Sequence, residues 1–211
     1  MNFFEILESR GLAPVVKLKS SSSALPLAEA LLAGGLPVAE ITFRTDAAEE
    51  SIRLISREYS EMLVGAGTVV NLEQAKRAIG AGAKFLVSPG YNQKVVEYAI
   101  EAGIPVLPGC CTPTEILSAM EMGLNVVKFF PANVFGGLNT IKTYASVFPS
   151  IRFMPTGGVG IDNLLEYLAH PAVIAVGGSW MVKDSYIDEG NFGKITELTR
   201  QAVKAIANIR K

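Results

Sequence analysis

A chain of 211 residues, 49% of them apolar, is long enough for one sizeable core and falls in the range where α/β barrels run as single domains. Its 19 basic and 20 acidic residues leave a formal charge of −1, mixed along the chain, which excludes an electrostatic footprint for nucleic acid or an anionic membrane and favours small partners. A single histidine, His170, and two adjacent cysteines, Cys110 and Cys111, exclude a His-rich metal site and a disulfide framework, and no Gly-x-Ser-x-Gly motif accompanies the histidine.

The stretch Met1 to Glu8 carries acids where a signal peptide carries bases, and no apolar run approaches the roughly 20 residues that span a bilayer, so a cytoplasmic protein is expected. An amphipathic segment from Phe3 to Arg10 predicts a short helix before the first strand, Pro14 to Leu18. Ser20 to Ser23 offer N-cap hydroxyls to a helix from Leu25 to Ala33, stopped by Gly34-Gly35. The strand-then-helix unit recurs as Val38 to Phe43 with Ala47 to Tyr59 behind Asp46, and as Met62 to Gly67 with Leu72 to Gly80 behind Asn71. Phe85 to Ser88 precedes a helix from Gln93 to Ala102, and Ile104 to Leu107 precedes one from Pro113 to Met122, with Pro113 in the first turn where no N–H is needed. Val126 to Phe130 is followed by a helix from Leu138 to Val147, Ile151 to Pro155 by Asn163 to Ala169, and Val173 to Val176 by a last helix from Phe192 to Ile209.

Short apolar strands separated by helices are the pattern of a parallel sheet buried on both faces. The reading is an α/β fold, a closed (β/α)8 TIM barrel forming one domain over residues 1–211. An open doubly wound sheet is the alternative, but no Gly-x-Gly-x-x-Gly opens the first helix. In a barrel the strand C-terminal ends converge on one mouth. Here they carry Glu40, Thr42 and Arg44, then Gly65 to Thr68, Ser88-Pro89-Gly90, Pro108-Gly109, Lys128, Thr156-Gly157-Gly158 and Gly177-Gly178-Ser179.

Lys128 stands inside Asn125-Val126-Val127-Lys128-Phe129-Phe130-Pro131, where a charged amine is costly to desolvate. Two explanations fit such a lysine: a structural ion pair, or an amine kept partly neutral as a nucleophile. Glu40 shares strand parity with Thr42 and Arg44, so if it points inward it meets Lys128 in the interior. The apolar neighbours Val127, Phe129 and Phe130 favour the nucleophile. Arg44 offers a forked donor to a small carboxylate, with the Thr68 hydroxyl nearby. The glycines after strands seven and eight occupy the place where barrels often hold a phosphate on backbone N–H groups. Lysine, carboxylate clamp and phosphate cradle together describe an enzyme for a phosphorylated keto acid. Lys17 reads as a solvated strand-end charge, and His170 and the cysteines as residues without chemistry.

The ordered set Glu40-Ile41-Thr42-Phe43-Arg44-Thr45, Gly65-Ala66-Gly67-Thr68, Ser88-Pro89-Gly90, Pro108-Gly109, Lys128-Phe129-Phe130-Pro131, Pro155-Thr156-Gly157-Gly158 and Gly177-Gly178-Ser179 spans nearly the whole chain. It resembles the 2-keto-3-deoxy-6-phosphogluconate (KDPG) and 4-hydroxy-2-oxoglutarate (KHG) aldolase family. The resemblance implies a class I, metal-independent lyase on a (β/α)8 barrel, without a cofactor and commonly a homotrimer. It implies that Lys128 forms the Schiff base and Glu40 is the general acid/base, that Arg44 and Thr68 bind the pyruvate carboxylate, and that Thr156, Gly157, Gly158, Gly178 and Ser179 form the phosphate end. The expected reaction cleaves KDPG to pyruvate and glyceraldehyde 3-phosphate, with 4-hydroxy-2-oxoglutarate as a further substrate. A phosphogalactonate aldolase and a non-catalytic phosphate-binding barrel are the alternatives.

Overall fold

The computed structural model describes residues 2–209. Helix α1 (Phe3–Arg10) opens on a capping box between Asn2 and Glu5 and ends where Gly11 turns left-handed, which aims the chain into strand β1 (Leu12–Val16). Ser20 caps a single 3-10 turn (Ser21–Ser23), which runs into α2 (Ala24–Ala33). There follow β2 (Val38–Thr42), α3 (Ala47–Glu58), β3 (Leu63–Gly67), α4 (Leu72–Gly80), β4 (Leu86–Val87), α5 (Gln93–Glu101), β5 (Val106–Leu107) and α6 (Pro113–Glu121). Asn71, Asn92 and Thr112 cap α4, α5 and α6 by accepting from backbone N–H groups, so polar residues between apolar runs mark these helix starts. The chain continues through β6 (Val126–Phe129), α7 (Gly137–Val147), β7 (Arg152–Pro155), α8 (Leu164–Leu168), β8 (Val176–Gly178), α9 (Asp184–Asp188) and α10 (Phe192–Ala207).

The strands form a parallel six-stranded sheet in the order β5-β4-β3-β2-β1-β8 and a separate parallel pair, β6-β7. Single parallel bridges join these sheets, Gly109 with Lys128 on one side and Phe153 with Val173 and Thr156 with Gly177 on the other. The ladder thins to one bridge beside Pro108, which has no N–H to give; it accepts from Lys128 N at 2.9 Å, and Cys110 N donates to Lys128 O at 2.8 Å. Every residue of β2 is buried, Glu40 included. The core is the apolar filling between strands and helices, with Phe85, Phe129 and Phe153 its largest fully buried side chains.

Three expectations shift. The first strand begins at Leu12 and ends at Val16, which leaves Lys17 just beyond it. The last strand is Val176–Gly178 rather than Val173–Val176: Ala13 and Pro14 pair with Gly177 and Gly178, so two glycines read as a turn extend the ladder. Helix α9 is not foreseen, because five residues are too few to show a period.

Candidate active site

Lys128 on β6 and Glu40 on β2 meet in the interior, with Lys128 Nζ 3.4 Å from Glu40 Oε1. The two side chains are 6% and 0% exposed, so each depends on the other for charge compensation. Only Oε1 is engaged. Glu40 Oε2 is buried and has no hydrogen-bond partner among the described residues, an arrangement that costs at least about 1–3 kcal/mol. Such an oxygen is available to a hydroxyl or water arriving with a ligand. Gly67 on β3 makes room for the carboxylate: a Cβ there would lie 2.2 Å from Glu40 Oε1. The Lys128 ammonium also sits 5.1 Å from the centre of the Phe130 ring, within cation–π range.

Phe130 belongs to the wall of a cavity of about 270 Å³, at the small end of ligand sites. Arg44, Thr156, Gly157, Gly158, Gly178 and Ser179 share that wall. Lys128 and Glu40 are not among the residues of that wall, and Lys128 adjoins it through Phe130, two residues further along the chain and just past β6. Thr68 reaches it through Arg44, whose Nε donates to Thr68 Oγ1 at 3.2 Å. Thr68 is the one non-glycine among the described residues with positive φ, 56°, a conformation costly for a β-branched side chain.

In the same lining, Gly157 and Gly158 have φ of 96° and 72°, a left-handed pair that only glycine adopts without strain. Successive residues of this kind present backbone N–H groups to an anion. Thr156 is 6% exposed and its Oγ1 has no partner among the described residues, which leaves a hydroxyl for a ligand.

Two cavity residues escaped the sequence reading. Lys17, expected as a solvated charge, lines the same cavity and is ion-paired to Asp184, the first residue of α9. Nothing local marks either, since they meet only when β1 and β8 pair. Cys110 and Cys111 stand beside the lysine strand, where Cys111 Sγ donates to Phe130 O at 2.6 Å. Burial pushes both thiols above their ordinary range. His170 Nδ1 accepts from Ala172 N at 3.2 Å and does not line this cavity. Among the described residues no three His, Cys, Asp or Glu side chains gather as a metal site, and no helix is long and apolar enough to cross a membrane.

The chain has counterparts among known proteins. A family model described as KDPG and KHG aldolase matches residues 4–198. The chain belongs to this family. It is 46% identical over 206 residues to the 2-dehydro-3-deoxy-phosphogluconate aldolase of Treponema pallidum, covering 98% of each chain. It is 41% identical over 199 residues to the KHG/KDPG aldolase of Escherichia coli K12, covering 94% of this chain and 93% of that one. Among solved structures, the KDPG aldolase of Legionella pneumophila, with pyruvate captured as a covalent carbinolamine intermediate, superposes with a TM-score of 0.92 at 38% identity. That match covers 96% of this chain and 98% of the other. In that neighbour the captured species is the one an amine and a ketone form on the way to an imine.

Proposed function

We propose that this protein is a class I aldolase that cleaves KDPG to pyruvate and glyceraldehyde 3-phosphate through an imine on Lys128, and that it also acts on 4-hydroxy-2-oxoglutarate. The observation that carries this reading is the buried Lys128–Glu40 pair at 3.4 Å, with one carboxylate oxygen left unpartnered. A purely structural pair gains by satisfying both oxygens; a pair that exchanges protons with a substrate keeps one free.

Lys128 attacks the C2 ketone as the neutral amine, and loss of water leaves a protonated imine that serves as the electron sink. The C3–C4 bond breaks, its electrons enter the iminium to form an enamine, and Glu40, directly or through a water, takes the C4 hydroxyl proton. The aldehyde leaves, Glu40 returns a proton to C3, and hydrolysis of the imine releases pyruvate. Arg44 and Thr68 hold the carboxylate so that the ketone stays within reach of the amine, a positioning effect worth at most about 7–11 kcal/mol. Thr156, Gly157, Gly158, Gly178 and Ser179 bind the phosphate end, remote from the bond that breaks, and their binding energy orients the substrate.

The same proposal treats residues 1–211 as one domain in which the eight strands close as a (β/α)8 barrel. The single bridges at Gly109–Lys128 and Thr156–Gly177 support that closure. A homotrimer and a cytoplasmic setting rest on the family and on the sequence, and light scattering tests the first. Reaction with pyruvate and borohydride tests the chemistry. The expected product is one reduced pyruvate adduct on the Lys128 peptide, and its absence would reject the imine.

A further inference from the structure

Two adjacent glycines give the turn after β7 more conformational freedom than any other residue pair, so its shape must be fixed from outside. The loop after β6 fixes the first two peptides with backbone groups: Ala132 N donates to Thr156 O at 2.8 Å and Asn133 N to Gly157 O at 3.2 Å. The third peptide, between Gly158 and Val159, is fixed by a side chain. Asn163 Nδ2 donates to Gly158 O at 2.9 Å while its Oδ1 accepts from Gly160 N at 2.9 Å, so one amide spans the turn. Asn163 stands at the N-cap position of α8 and makes no side-chain cap bond there, because both ends of its amide are engaged by the turn behind it. A planar trans peptide points its C=O and N–H in opposite directions. Holding the carbonyls of Gly157 and Gly158 therefore sets the directions of the N–H groups of Gly158 and Val159. Neither N–H has an acceptor among the described residues, and both residues line the cavity.

We propose that Asn163 is a positioning residue for the aldolase reaction: its amide, acting through Gly158 and Gly160, holds the N–H groups of Gly158 and Val159 toward the substrate's phosphate. This rests on the aldolase reading above. Asn163 is not among the residues that line the cavity, so it acts on the turn and not on the substrate. A turn already held in its binding shape has no ordering cost to meet when the phosphate arrives. Without the amide, the Gly158–Val159 peptide is free to rotate and the substrate must order it. The effect is confined to ligands that carry a phosphate, since Lys128 and Glu40 lie on other strands and hold each other.

The test follows two reactions in the wild type, Asn163→Ala and Asn163→Asp. One is KDPG cleavage; the other is exchange of the pyruvate C3 protons with deuterium oxide, which under the proposed function needs Lys128 and Glu40 and no phosphate. Asn163→Ala is expected to lower kcat/KM for KDPG about fivefold or more, chiefly through KM, and to leave the exchange rate within about twofold of the wild type, the leverage of one or two hydrogen bonds on one end of the site. Asn163→Asp keeps an acceptor for Gly160 N and has no donor for Gly158 O, so it should be impaired toward KDPG at least as much and remain sound in exchange. If Asn163→Asp cleaves KDPG like the wild type, the bond to Gly158 is idle and the inference falls. Parallel loss of both reactions marks a merely structural role and also overturns it. Should Asn163→Ala fail to fold, Asn163→Asp, of nearly the same size and shape, carries the expectation. If the wild type neither cleaves KDPG nor exchanges pyruvate protons, the aldolase reading fails. If it does both and KM for KDPG is indifferent to Asn163, only the present inference fails.

Discussion

Glu40 and Lys128, 88 positions apart in sequence, stand 3.4 Å apart in a space with almost no solvent, and each would be expensive to bury without the other. Removing one partner of such a pair costs about 3–5 kcal/mol, because the remaining charge is left uncompensated. Lys128→Met is therefore expected to abolish both turnover and borohydride trapping and to lower the melting temperature. Adding Glu40→Gln to it should recover part of the stability and none of the activity. Thermal melts of the single and double variants, with peptide mass analysis after reduction, measure both.

Glu40→Gln alone should slow cleavage by about 10²–10⁴-fold, the usual contribution of a positioned acid–base group, while pyruvate is still trapped on Lys128. Trapping needs only the amine. Equal loss of trapping and cleavage would place Glu40 in imine formation instead of proton transfer.

Gly67→Ala tests the seat of the carboxylate without touching it chemically. A methyl there would lie 2.2 Å from Glu40 Oε1, so the carboxylate must move off its present line to Lys128. Overpacking of this kind costs about 1–3 kcal/mol. The expected result is a folded, less stable protein with activity reduced as in Glu40→Gln, checked by urea unfolding and a coupled pyruvate assay.

Sequence carried the lysine strand and the start of α4 well, because both rest on local chemistry, whereas the serines before α2 and Asp46 before α3, expected as caps, give those helices no side-chain cap bond. A lysine among Val127, Phe129 and Phe130 is conspicuous wherever it occurs, and Asn71 and Thr112 cap their helices with side chains that reach only three residues onward. Parity puts Glu40 on the same face as Thr42 and Arg44, and its pairing with Lys128 shows that it points into the interior. What stayed illegible depends on register between strands distant in the chain. Gly177 and Gly178 looked like a turn until their pairing with Ala13 and Pro14 fixed them as strand. Lys17 looked solvated until the same pairing brought it to Asp184, on a helix too short to show a pattern. The unpartnered Oε2 of Glu40 and Oγ1 of Thr156 are likewise invisible to any one-dimensional reading, since absence of a partner is a statement about all neighbours at once.

Outside the site, Glu49 ties α3 to α4 by accepting from Arg77 Nε at 2.8 Å and from Arg53 at 2.7 Å. The Arg77 bond first, and then the Arg53 bond, hold its carboxyl below the ordinary carboxylate range. A carboxyl depressed in the folded state adds stability above its unfolded value, near 4.3, and that stability is lost as pH falls through the lower folded value. Glu49→Gln is thus expected to lower stability at pH 7 by at most about 1 kcal/mol, since the cluster is at the surface, and the difference should shrink with acidification and with added salt. Urea melts at neutral and acid pH would show it.

Thr68 offers the last and most direct trade between fold and site. Its φ of 56° sets a β-branched residue in the left-handed region, at a cost of about 1–3 kcal/mol, and its hydroxyl accepts from Arg44 Nε at 3.2 Å. Glycine adopts that backbone freely but is also more flexible when unfolded, so Thr68→Gly is expected to change stability by no more than about 1 kcal/mol in either direction. The functional effect has one sign. Without the hydroxyl Arg44 Nε loses its acceptor, and under the proposed function the carboxylate loses one contact. KM for pyruvate in the condensation direction should rise by about tenfold, the effect of one hydrogen bond to a charged group, with trapping on Lys128 intact at saturating pyruvate. Thr68→Ser keeps the hydroxyl without the branching methyl and should hold KM near the wild-type value. A rise in KM for serine equal to that for glycine would show that the methyl, not the hydroxyl, sets the position of Arg44.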